Sequence, residues 1–373
     1  MSKLKLVTIV GTRPEIIRLS EIIKKADKVF DHILVHTGQN YDYELNEVFF
    51  ENFGLRRPDY FLNVVGKNLG ETLGNVIAKS YDILIETRPD AMLVLGDTNS
   101  SLCTIAAKRL KIPIFHMEAG NRCFDLNVPE EINRKIVDHI SDINLSYTEH
   151  SRRYLISEGF RKEHIFVTGS PLYEVYQKHL LNIEKSEVLH QLNLRQGKYI
   201  IVSLHREENV DSVVNFELIH QALHAVAEKY QMPVIFSTHP RTRKIINDRS
   251  LNFHPLVQNI SPLGYFDYVK LQKNAFIVLS DSGTISEESA IYSFPAISVR
   301  TSTERPEAID AGTIILGGIS ESDIINAIHV CKFTFDVSNV SLPAEYIVPD
   351  VSNRVVRIIQ SYYSIIDKVI WNK

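Results

Sequence analysis

The sequence predicts an α/β protein of two domains, each built as a parallel sheet covered by helices on both faces. Short runs of continuous apolar residues alternate with helical stretches along most of the chain, which is typical of buried parallel strands joined by helices. At 373 residues the chain is longer than one hydrophobic core usually supports. Two matched loops, residues 11–15 and 280–284, each follow an apolar run and open a helical stretch. Backbone N–H groups at such turns bind phosphate, so we expect a nucleotide-bearing ligand held between the domains.

The predicted elements alternate in chain order. Strands of the first domain are predicted at residues 4–10, 32–36, 91–95, 112–116, 143–147 and 165–167, and its helices at residues 15–25, 73–86, 101–110, 130–140 and 151–158. A helical stretch at residues 172–192 is the predicted connection. Strands of the second domain are predicted at residues 199–204, 233–236, 276–279 and 296–299, and a last helix at residues 353–369. We place the first domain at residues 1–172 and the second at residues 196–352, and expect residues 353–373 to pack back on the first domain.

Composition argues against several classes of protein. The net charge of -4 at pH 7 disfavours nucleic-acid binding, which usually needs a basic surface. No apolar stretch reaches the ~20 residues that cross a bilayer, so we expect no membrane partner. The N-terminus has no signal-peptide pattern, and Cys103, Cys123 and Cys331 lack the spacing of a metal site. A reduced, cytoplasmic setting without a bound metal is the simplest interpretation.

The polar candidates lie in segments that follow the predicted strands. In a parallel sheet the ligand lies beyond the carboxyl ends of the strands. These segments carry, in chain order, Arg13, Asp97, Glu118, Glu130, Glu131, His205, His239, Ser282, Gly283, Glu288 and Arg305. Carboxylates and imidazoles transfer protons and arginines hold anions, so the set predicts acid–base chemistry on an anionic ligand.

The acidic candidates also have structural interpretations. Asp97 could cap the helix that follows it, and Glu130 and Glu131 could be ordinary acidic residues of a first helical turn. Glu118 is harder to explain in this way, because an unpaired carboxylate between a strand and Ala119 would be costly.

The remaining candidates have similar alternatives. His205 and His239 could be core histidines, and Glu288 could form a plain salt bridge with Arg305. Cys123 lies in the expected site but has no adjacent base, so we interpret it as non-catalytic. The joint occurrence of these residues after strands of both halves is what favours a functional site.

Together these segments resemble the non-hydrolysing UDP-N-acetylglucosamine 2-epimerases. The matching motifs occur in order across nearly the whole chain, at residues 11–15 (GTRPE), 116–120 (HMEAG), 129–134 (PEEINR), 205–209 (HREEN), 281–283 (DSG) and 303–308 (TERPEA). The resemblance implies two Rossmann-like domains with a central cleft, as in GT-B glycosyltransferases. It also implies a homodimer, a UDP-2-acetamido sugar as substrate, and no requirement for a metal or nicotinamide.

The resemblance also implies roles for individual residues. The family's catalytic positions match Asp97, Glu118, Glu130 and His205. The positions that hold UDP match Arg13, Ser282, Gly283 and Glu288, the last of which contacts the ribose. Arg305 matches an arginine that contacts the diphosphate or the sugar, and Tyr268 lies where the family has an aromatic residue beside the uracil. Arg18 and Thr284 replace a Lys and a second Gly of the family, and we include both among the expected substrate-binding residues.

The implied chemistry explains why such residues are needed. The C2 proton of a 2-acetamido sugar is a poor acid until the C1–O bond to UDP begins to break. The resemblance implies elimination of UDP to a glycal-type intermediate, followed by re-addition with the opposite C2 configuration. Groups on opposite faces must take and return the proton. Arginines and backbone N–H groups must hold the departing UDP anion until it adds again.

Departures from the family pattern favour one of its branches. The loop at residues 121–128 is short, and the stretch at residues 37–42 (TGQNYD) lacks the second Gln of a segment that binds a regulatory UDP-sugar in bacterial members. The chain looks like the branch of capsule and O-antigen assembly, which converts UDP-2-acetamido-2,6-dideoxy-L-talose to UDP-N-acetyl-L-fucosamine. Phe124 and Val128 are apolar groups suited to a 6-deoxy methyl. Conversion of UDP-GlcNAc to UDP-ManNAc is the alternative.

Three other functions remain open on the sequence alone. A GT-B glycosyltransferase would use the same UDP site but transfer the sugar to an acceptor. A hydrolysing epimerase would release UDP instead of re-adding it. A catalytically inactive nucleotide-sugar sensor would keep Ser282, Gly283 and Glu288 without needing the acid–base set.

Overall fold

The computed structural model of the protein describes residues 3–38, 49–238, 240–336 and 342–373. The chain divides into two compact units. Unit 1 comprises Met1–Val175 and Glu345–Lys373, and unit 2 comprises Tyr176–Ala344. Each unit contains one sheet whose paired strands are all parallel, with helices in the connections.

Unit 1 contains a seven-stranded sheet. Its strands are β1 (Lys5–Val10), β2 (Asp31–His36), β3 (Tyr60–Phe61), β4 (Ala91–Leu95), β5 (Ile114–Met117), β6 (Ile143–Ser146) and β7 (Ile165–Val167). The strand order is β3-β2-β1-β4-β5-β6-β7. The order therefore reverses between β1 and β4, which is the topological switch point of a Rossmann-like sheet.

Several helices of unit 1 begin with residues that favour the start of a helix. They are α1 (Arg13–Val29), α2 (Leu69–Thr87), α3 (Thr104–Arg109), α4 (Pro129–Ile140) and α5 (Glu149–Ser157), with 3₁₀ turns at Asn99–Cys103 and Lys162–His164. Proline lies in the first turn of α1 and of α4, where its missing N–H has no helical partner to lose. The side chain of Asn68 accepts the N–H of Glu71 and so caps α2. Helix α6 (Leu172–Glu184) contains the boundary between the units.

Unit 2 contains a six-stranded sheet. Its strands are β8 (Ile200–Ser203), β9 (Val234–Ser237), β10 (Val257–Ile260), β11 (Ile277–Ser280), β12 (Ala296–Ser298) and β13 (Ile315–Leu316). Its helices are α7 (Val188–Gln191), α8 (Glu207–Val210), α9 (Val213–Tyr230), α10 (Pro240–Asp248), α11 (Tyr265–Asn274), α12 (Ile285–Tyr292), α13 (Pro306–Asp310) and α14 (Glu321–Thr334). The order β10-β9-β8-β11-β12-β13 places the switch point between β8 and β11.

The predicted α/β class with two parallel sheets is confirmed. The central strands β1, β4 and β11 are buried almost throughout, as their continuous apolar sequences predicted. The predicted helix at residues 101–110 is a 3₁₀ turn followed by the short helix α3. Strands β3, β10 and β13 were not predicted, and each is an edge strand of its sheet.

Two features that would change the class of protein are absent from the described residues. Across that part of the chain, no helix has the length and apolarity that crossing a membrane requires. The same residues contain no group of three or more His, Cys, Asp or Glu side chains arranged to hold a metal ion.

The C-terminal helix α15 (Val351–Val369) belongs to unit 1 and contacts α1. Its N-terminus is fixed by Glu174, whose carboxylate accepts hydrogen bonds from the N–H and the hydroxyl of Ser352 at 2.8 and 2.6 Å. Ile359 is fully buried on this helix, whereas Ile365 is 42% exposed. The apolar contacts of Ile359 should therefore contribute more to the stability of unit 1 than those of Ile365.

We predict that Ile359→Ala lowers the free energy of unfolding of unit 1 by about 2–4 kcal/mol, because it removes buried methyl groups and leaves a cavity. Urea unfolding followed by the fluorescence of Trp371, the single tryptophan, measures this region locally. The control Ile365→Ala should change stability by less than about 1 kcal/mol, because most of its side chain already contacts water. Equal losses in the two variants would contradict the packing assigned to α15.

Candidate active site

The candidate residues of unit 1 gather at one edge of its sheet. Arg13 and Arg18 lie on α1 directly after β1, and Asp97 follows β4. Glu118 follows β5, and Glu130 lies half-buried in the first turn of α4. Because the carboxyl ends of parallel strands share an edge, these residues surround the switch point between β1 and β4.

The loop between β1 and α1 is fixed by a buried carboxylate. Glu15 accepts the N–H of Gly11 at 2.7 Å and the hydroxyl of Thr12 at 2.9 Å. It also accepts hydrogen bonds from Thr98 and Ser100, in the loop after β4. Burial raises the pKa of Glu15, although all four of these partners act to lower it. One side chain therefore ties together the two loops that flank the switch point.

The two arginines of α1 differ in exposure. Arg13 is partly exposed, and its guanidinium carbon lies 5.3 Å from the centroid of the Phe49 ring. Arg18 is buried, and its guanidinium lies 5.7 Å from the centroid of the Tyr147 ring. Nη1 of Arg18 donates to Oε2 of Glu118 at 3.0 Å. Arg13 is thus the more accessible cation of the two, while Arg18 neutralises a carboxylate.

Glu118 has an unusual backbone. Its φ of 64° is left-handed, a conformation that residues with a side chain seldom adopt and that concentrates at functional sites. Nδ2 of Asn121 lies 3.5 Å from its Oε1. Oε2 lies 3.5 Å from the position that a Cβ on Gly96 would occupy. The Glu118 carboxylate is therefore beside the loop that carries Asp97, and its side chain is 15% exposed.

Asp97 is paired with an arginine that the sequence analysis gave no role. Nη2 and Nε of Arg134 lie 2.6 and 3.1 Å from Oδ2 of Asp97. Nη1 of the same arginine donates to Glu131 at 2.6 Å. The N-cap position of the following 3₁₀ turn is Thr98, and the Asp97 carboxylate pairs with Arg134, so the alternative role of Asp97 as a helix cap is wrong. Arg134 compensates the charge of both carboxylates.

Glu131 is a buried structural residue beside Cys123. It accepts the N–H groups of Cys123 and Phe124 at 3.1 and 3.3 Å. Burial alone would raise the pKa of Glu131, but the N–H of Cys123 and the hydrogen bond and charge of Arg134 hold it below its usual value. Sγ of Cys123 lies 3.3 Å from Oε2, so the expectation that this thiol has no neighbouring base is wrong.

The non-catalytic interpretation of Cys123 nevertheless agrees with its surroundings. Burial raises the pKa of the Cys123 thiol, which disfavours the reactive thiolate. The neighbouring Glu131 carboxylate is already engaged by Arg134, which makes it a weak base.

The short loop at residues 121–128 places its two apolar candidates differently. Phe124 is 66% exposed and meets the ring of Tyr154 edge to face, with centroids 5.3 Å apart. Val128 is 1% exposed, because it turns into the core at the start of α4. The expectation that Val128 contacts a sugar methyl is therefore wrong, and only Phe124 remains available.

A buried ion network supports the loop after β5. Asp138 interacts with Nδ1 of His116 at 2.9 Å and accepts Nη1 of Arg122 at 2.7 Å. It also accepts the N–H of Gly120 at 3.1 Å. Burial alone would raise the pKa of Asp138, but His116 and Arg122 hold it below its usual value. Nε2 of His116 contacts the carbonyl oxygen of Gly96 at 2.9 Å, so the network also reaches the loop after β4.

In unit 2 the candidates gather at the second switch point. Asp281 follows β11 and is fully buried. It accepts the N–H groups of His205 and Arg206, both at 3.1 Å, and Nδ2 of Asn209 at 3.2 Å. The His205 side chain is 43% exposed, with Nδ1 3.3 Å from Asp281. The core interpretation of His205 is therefore wrong, and the same question for His239 lies outside the described residues.

The glycine loop of unit 2 leads directly into α12. The hydroxyls of Ser282 and Thr284 lie 3.0 Å apart, and that of Thr284 donates to Oε1 of Glu288 at 2.6 Å. Gln272 holds the other carboxylate oxygen of Glu288 at 2.7 Å. Burial and then the negative charge of Glu288 raise the pKa of Tyr268. The expected uracil, ribose and phosphate positions thus lie close together within unit 2.

Arg305 is buried and forms a salt bridge with Glu287. It precedes α13 after β12 and is 2% exposed. Nη2 of Arg305 lies 3.1 Å from Oε1 of Glu287, which is fully buried. Glu288 is instead engaged by Thr284 and Gln272, so the alternative of a salt bridge between Glu288 and Arg305 is wrong.

Several charged residues of the matched motifs received no role from the sequence, among them Glu15, Arg134, Asp281 and Glu304. A structural role could have been inferred for them, because a charge in a loop between apolar elements needs a compensating partner. The partners from other loops, such as Thr98 for Glu15 and Arg206 for Glu304, could not be identified, since they lie far away in the sequence.

The two units offer complementary chemistry. Unit 1 presents carboxylates that can exchange protons and arginines that balance their charge. Unit 2 presents a strand, glycine loop and helix N-terminus, a geometry that suits a phosphate, next to a carboxylate that can accept ribose hydroxyls. The stretch at residues 37–42, whose missing second Gln puts a regulatory UDP-sugar site in doubt, lies largely outside the described residues, which resume at residue 49.

Comparison with known proteins gives concordant results. A family model described as UDP-N-acetylglucosamine 2-epimerase matches residues 23–360. The structure of a UDP-N-acetylglucosamine 2-epimerase from Rickettsia bellii is 46% identical and covers 100% of both chains with a TM-score of 0.92. That of Methanocaldococcus jannaschii UDP-GlcNAc 2-epimerase, in complex with UDP-GlcNAc and UDP, is 35% identical, covers 96% of this chain and 100% of its own, and has a TM-score of 0.89.

A relative with a different named substrate is similarly close. The UDP-2,3-diacetamido-2,3-dideoxy-D-glucuronate 2-epimerase of Pseudomonas aeruginosa is 34% identical over 327 residues, which are 87% of this chain and 91% of that protein. The expected GT-B type of fold and the expected epimerase class are confirmed by these similarities. By sequence, fold and the arrangement of its loops, the chain belongs to the UDP-N-acetylglucosamine 2-epimerase family.

Proposed function

We propose that the protein inverts C2 of a UDP-2-acetamido sugar by eliminating UDP and adding it back. The observation that carries this proposal is the pairing of Glu118 with Arg18 beside the loop of Asp97, at the switch point of unit 1. The carboxylates of Glu118 and Asp97 can accept and return a proton, and Arg18 and Arg134 balance the charge of their ionised forms. The M. jannaschii relative in complex with UDP-GlcNAc and UDP supports the same class of ligand.

The UDP moiety is assigned to unit 2. The loop of Ser282, Gly283 and Thr284 opens α12, where the helix dipole favours an anion. Glu288 accepts the ribose hydroxyls, and Tyr268 lies beside the uracil. These assignments agree with the short distances from Thr284 and Gln272 to Glu288, which orient its carboxylate.

The departing UDP must be held during the reaction. Arg13 is the partly exposed cation at the start of α1 and is assigned to the diphosphate. Arg305 acts from its buried pair with Glu287, next to the loop that follows β12. Retention matters because UDP is both the leaving group and the nucleophile of the return step.

The reaction then follows from proton transfer at C2. As the C1–O bond breaks, its electrons leave with UDP, and a base takes the C2 proton to give a 2-acetamidoglycal. UDP then adds to C1 while an acid returns a proton to the opposite face of C2. Asp97, Glu118, Glu130 and His205 are the proposed acid–base set, each contributing roughly 10²–10⁴-fold where it transfers a proton.

The preferred sugar is UDP-2-acetamido-2,6-dideoxy-L-talose, which becomes UDP-N-acetyl-L-fucosamine. The support from the structure is Phe124, an exposed apolar ring in the short loop between Glu118 and Glu130. A sugar hydroxyl left without a partner against such a ring would lose about 1–3 kcal/mol, whereas a methyl group would not.

Conversion of UDP-GlcNAc to UDP-ManNAc is the second candidate. It is favoured by the names of the R. bellii and M. jannaschii relatives. The P. aeruginosa relative acts on another sugar at a similar identity, so overall similarity alone does not identify the substrate.

A homodimer and a cytoplasmic location also belong to the proposed function, whichever sugar is the substrate. They rest on the family resemblance and the composition.

The first functional prediction concerns Glu118. Glu118→Gln should lower kcat at least ~100-fold, because the amide keeps the hydrogen bond to Arg18 but cannot exchange the C2 proton. The measurement is conversion of the UDP-sugar followed by proton NMR, with melting temperature as the check on folding.

Glu163→Gln is the matched control, since Glu163 is an exposed carboxylate of the same unit. It should keep the turnover of the unmodified protein. Near-normal turnover in folded Glu118→Gln would remove Glu118 from the acid–base set.

The second functional prediction concerns the sugar. The unmodified protein should convert the 6-deoxy talose derivative with a kcat/KM at least ~10-fold above that for UDP-GlcNAc, as expected for an unpaired hydroxyl. Phe124→Ala should reduce this ratio. Leu126→Ala, which alters an equally exposed residue of the same loop, should leave it unchanged.

Measurement of kcat/KM on both sugars under the same conditions distinguishes the two substrate assignments. Equal efficiency on the two substrates would replace the fucosamine assignment with the UDP-GlcNAc assignment, without affecting the epimerase mechanism.

A further inference from the structure

Gly283 makes a contact that the proposed roles do not explain. A Cβ added at this position would lie 1.9 Å from Oε1 of Glu304 and 3.2 Å from Nη2 of Arg206. A contact of 1.9 Å is impossible without movement of the carboxylate. The φ of Gly283 is outside the left-handed region, so backbone conformation does not require glycine here. The neighbouring Glu304 carboxylate is what leaves no room for a side chain.

Glu304 is held between two arginines. Nη1 of Arg300 donates to Oε2 at 2.7 Å, and Nη2 of Arg206 lies 3.3 Å from Oε1. All three side chains are buried or nearly so. The charges of Arg206 and Arg300 also act on the carboxylate of Glu208, so the two guanidinium groups lie among several acidic side chains beside the glycine loop.

The two contacts of Glu304 differ in what they join. Arg300 and Glu304 lie four residues apart in the segment after β12, so their pair is local. Arg206 lies in the loop after β8. Strands β8 and β12 are the two neighbours of β11, which carries Gly283 at its end. Glu304 therefore bridges the loops on either side of the glycine loop.

We propose that Glu304 is a positioning residue for diphosphate binding, which sets the guanidinium of Arg206 against the loop of Gly283. This inference rests on the proposed function, in which that loop receives the diphosphate of UDP. Taken alone, a buried carboxylate near a phosphate site would repel the ligand. With Arg300 as its anchor it instead orients a cation toward the ligand, at the point where glycine gives the closest approach.

The test compares UDP with uridine, which lacks the phosphates. Glu304→Asp keeps the negative charge beside Arg300 but shortens the reach of the carboxylate toward Arg206. It should weaken UDP binding about tenfold, the scale of one charge-assisted hydrogen bond, and leave uridine binding within about twofold. Calorimetry measures UDP affinity, and saturation-transfer NMR measures uridine affinity, both on the full chain.

Arg206→Met gives the same comparison without changing the buried carboxylate. It should also weaken UDP binding more than uridine binding. Glu321→Ala, an exposed carboxylate of unit 2, is the control and should change neither affinity. UDP affinity equal to that of the unmodified protein in either test variant, or parallel losses of UDP and uridine affinity, would overturn the positioning role.

A second experiment tests the contact itself. Gly283→Ala should weaken UDP binding at least ~10-fold in the unmodified background and in Glu304→Gln, whose side chain has the same length. In Glu304→Asp the shorter side chain makes room for the added methyl, so the penalty should fall to about threefold or less. An equal penalty in all three backgrounds would show that Glu304 does not set the requirement for glycine.

The unmodified protein separates this inference from the proposed function. If the unmodified protein binds UDP and the test variants bind UDP with the same affinity as the control variant Glu321→Ala, only the role of Glu304 fails. If the unmodified protein does not bind UDP at all, the proposed function fails and the role of Glu304 falls with it.

Discussion

Buried carboxylates at the carboxyl edges of the two sheets hold the loops of the candidate site in place, and each of them needs hydrogen bonds or a paired arginine to compensate its charge. Glu15, Asp138, Asp281 and Glu304 each accept hydrogen bonds from neighbouring loops, and Asp138 and Glu304 also pair with arginines. Removing one partner of such a buried group commonly costs about 3–5 kcal/mol. These carboxylates therefore fix the loops, while Asp97, Glu118 and His205 stay partly exposed, as their proposed contact with a ligand requires.

The fold could be predicted because its central strands are buried on both faces. The apolar runs of β1, β4 and β11 leave few other interpretations. The strands that were missed are edge strands: β3 and β13 have two residues each, and β10 exposes Gln258 and Asn259. An edge strand needs less apolar surface, so its sequence resembles that of a loop.

The position of the candidate site could also be predicted, because parallel sheets place ligands at their switch points. Its internal pairing could not. Asp97 pairs with Arg134 across 37 residues, and Arg305 pairs with Glu287 where Glu288 was the expected alternative. Which of two adjacent side chains faces an arginine depends on helix rotation and packing, as does the burial of Val128. Local sequence patterns carry little information about either.

Transfer of the C2 proton through an exchangeable group, the step on which epimerisation depends, is tested most directly by running the reaction in deuterated water and locating deuterium in the product by NMR. If a solvent-exchangeable carboxylate or imidazole carries the proton, the epimerised sugar contains one deuterium at C2 and retains its bond to UDP. Protium retained at C2 in fully converted product would contradict the proposed mechanism, because the hydrogen would then have moved without reaching an exchangeable group.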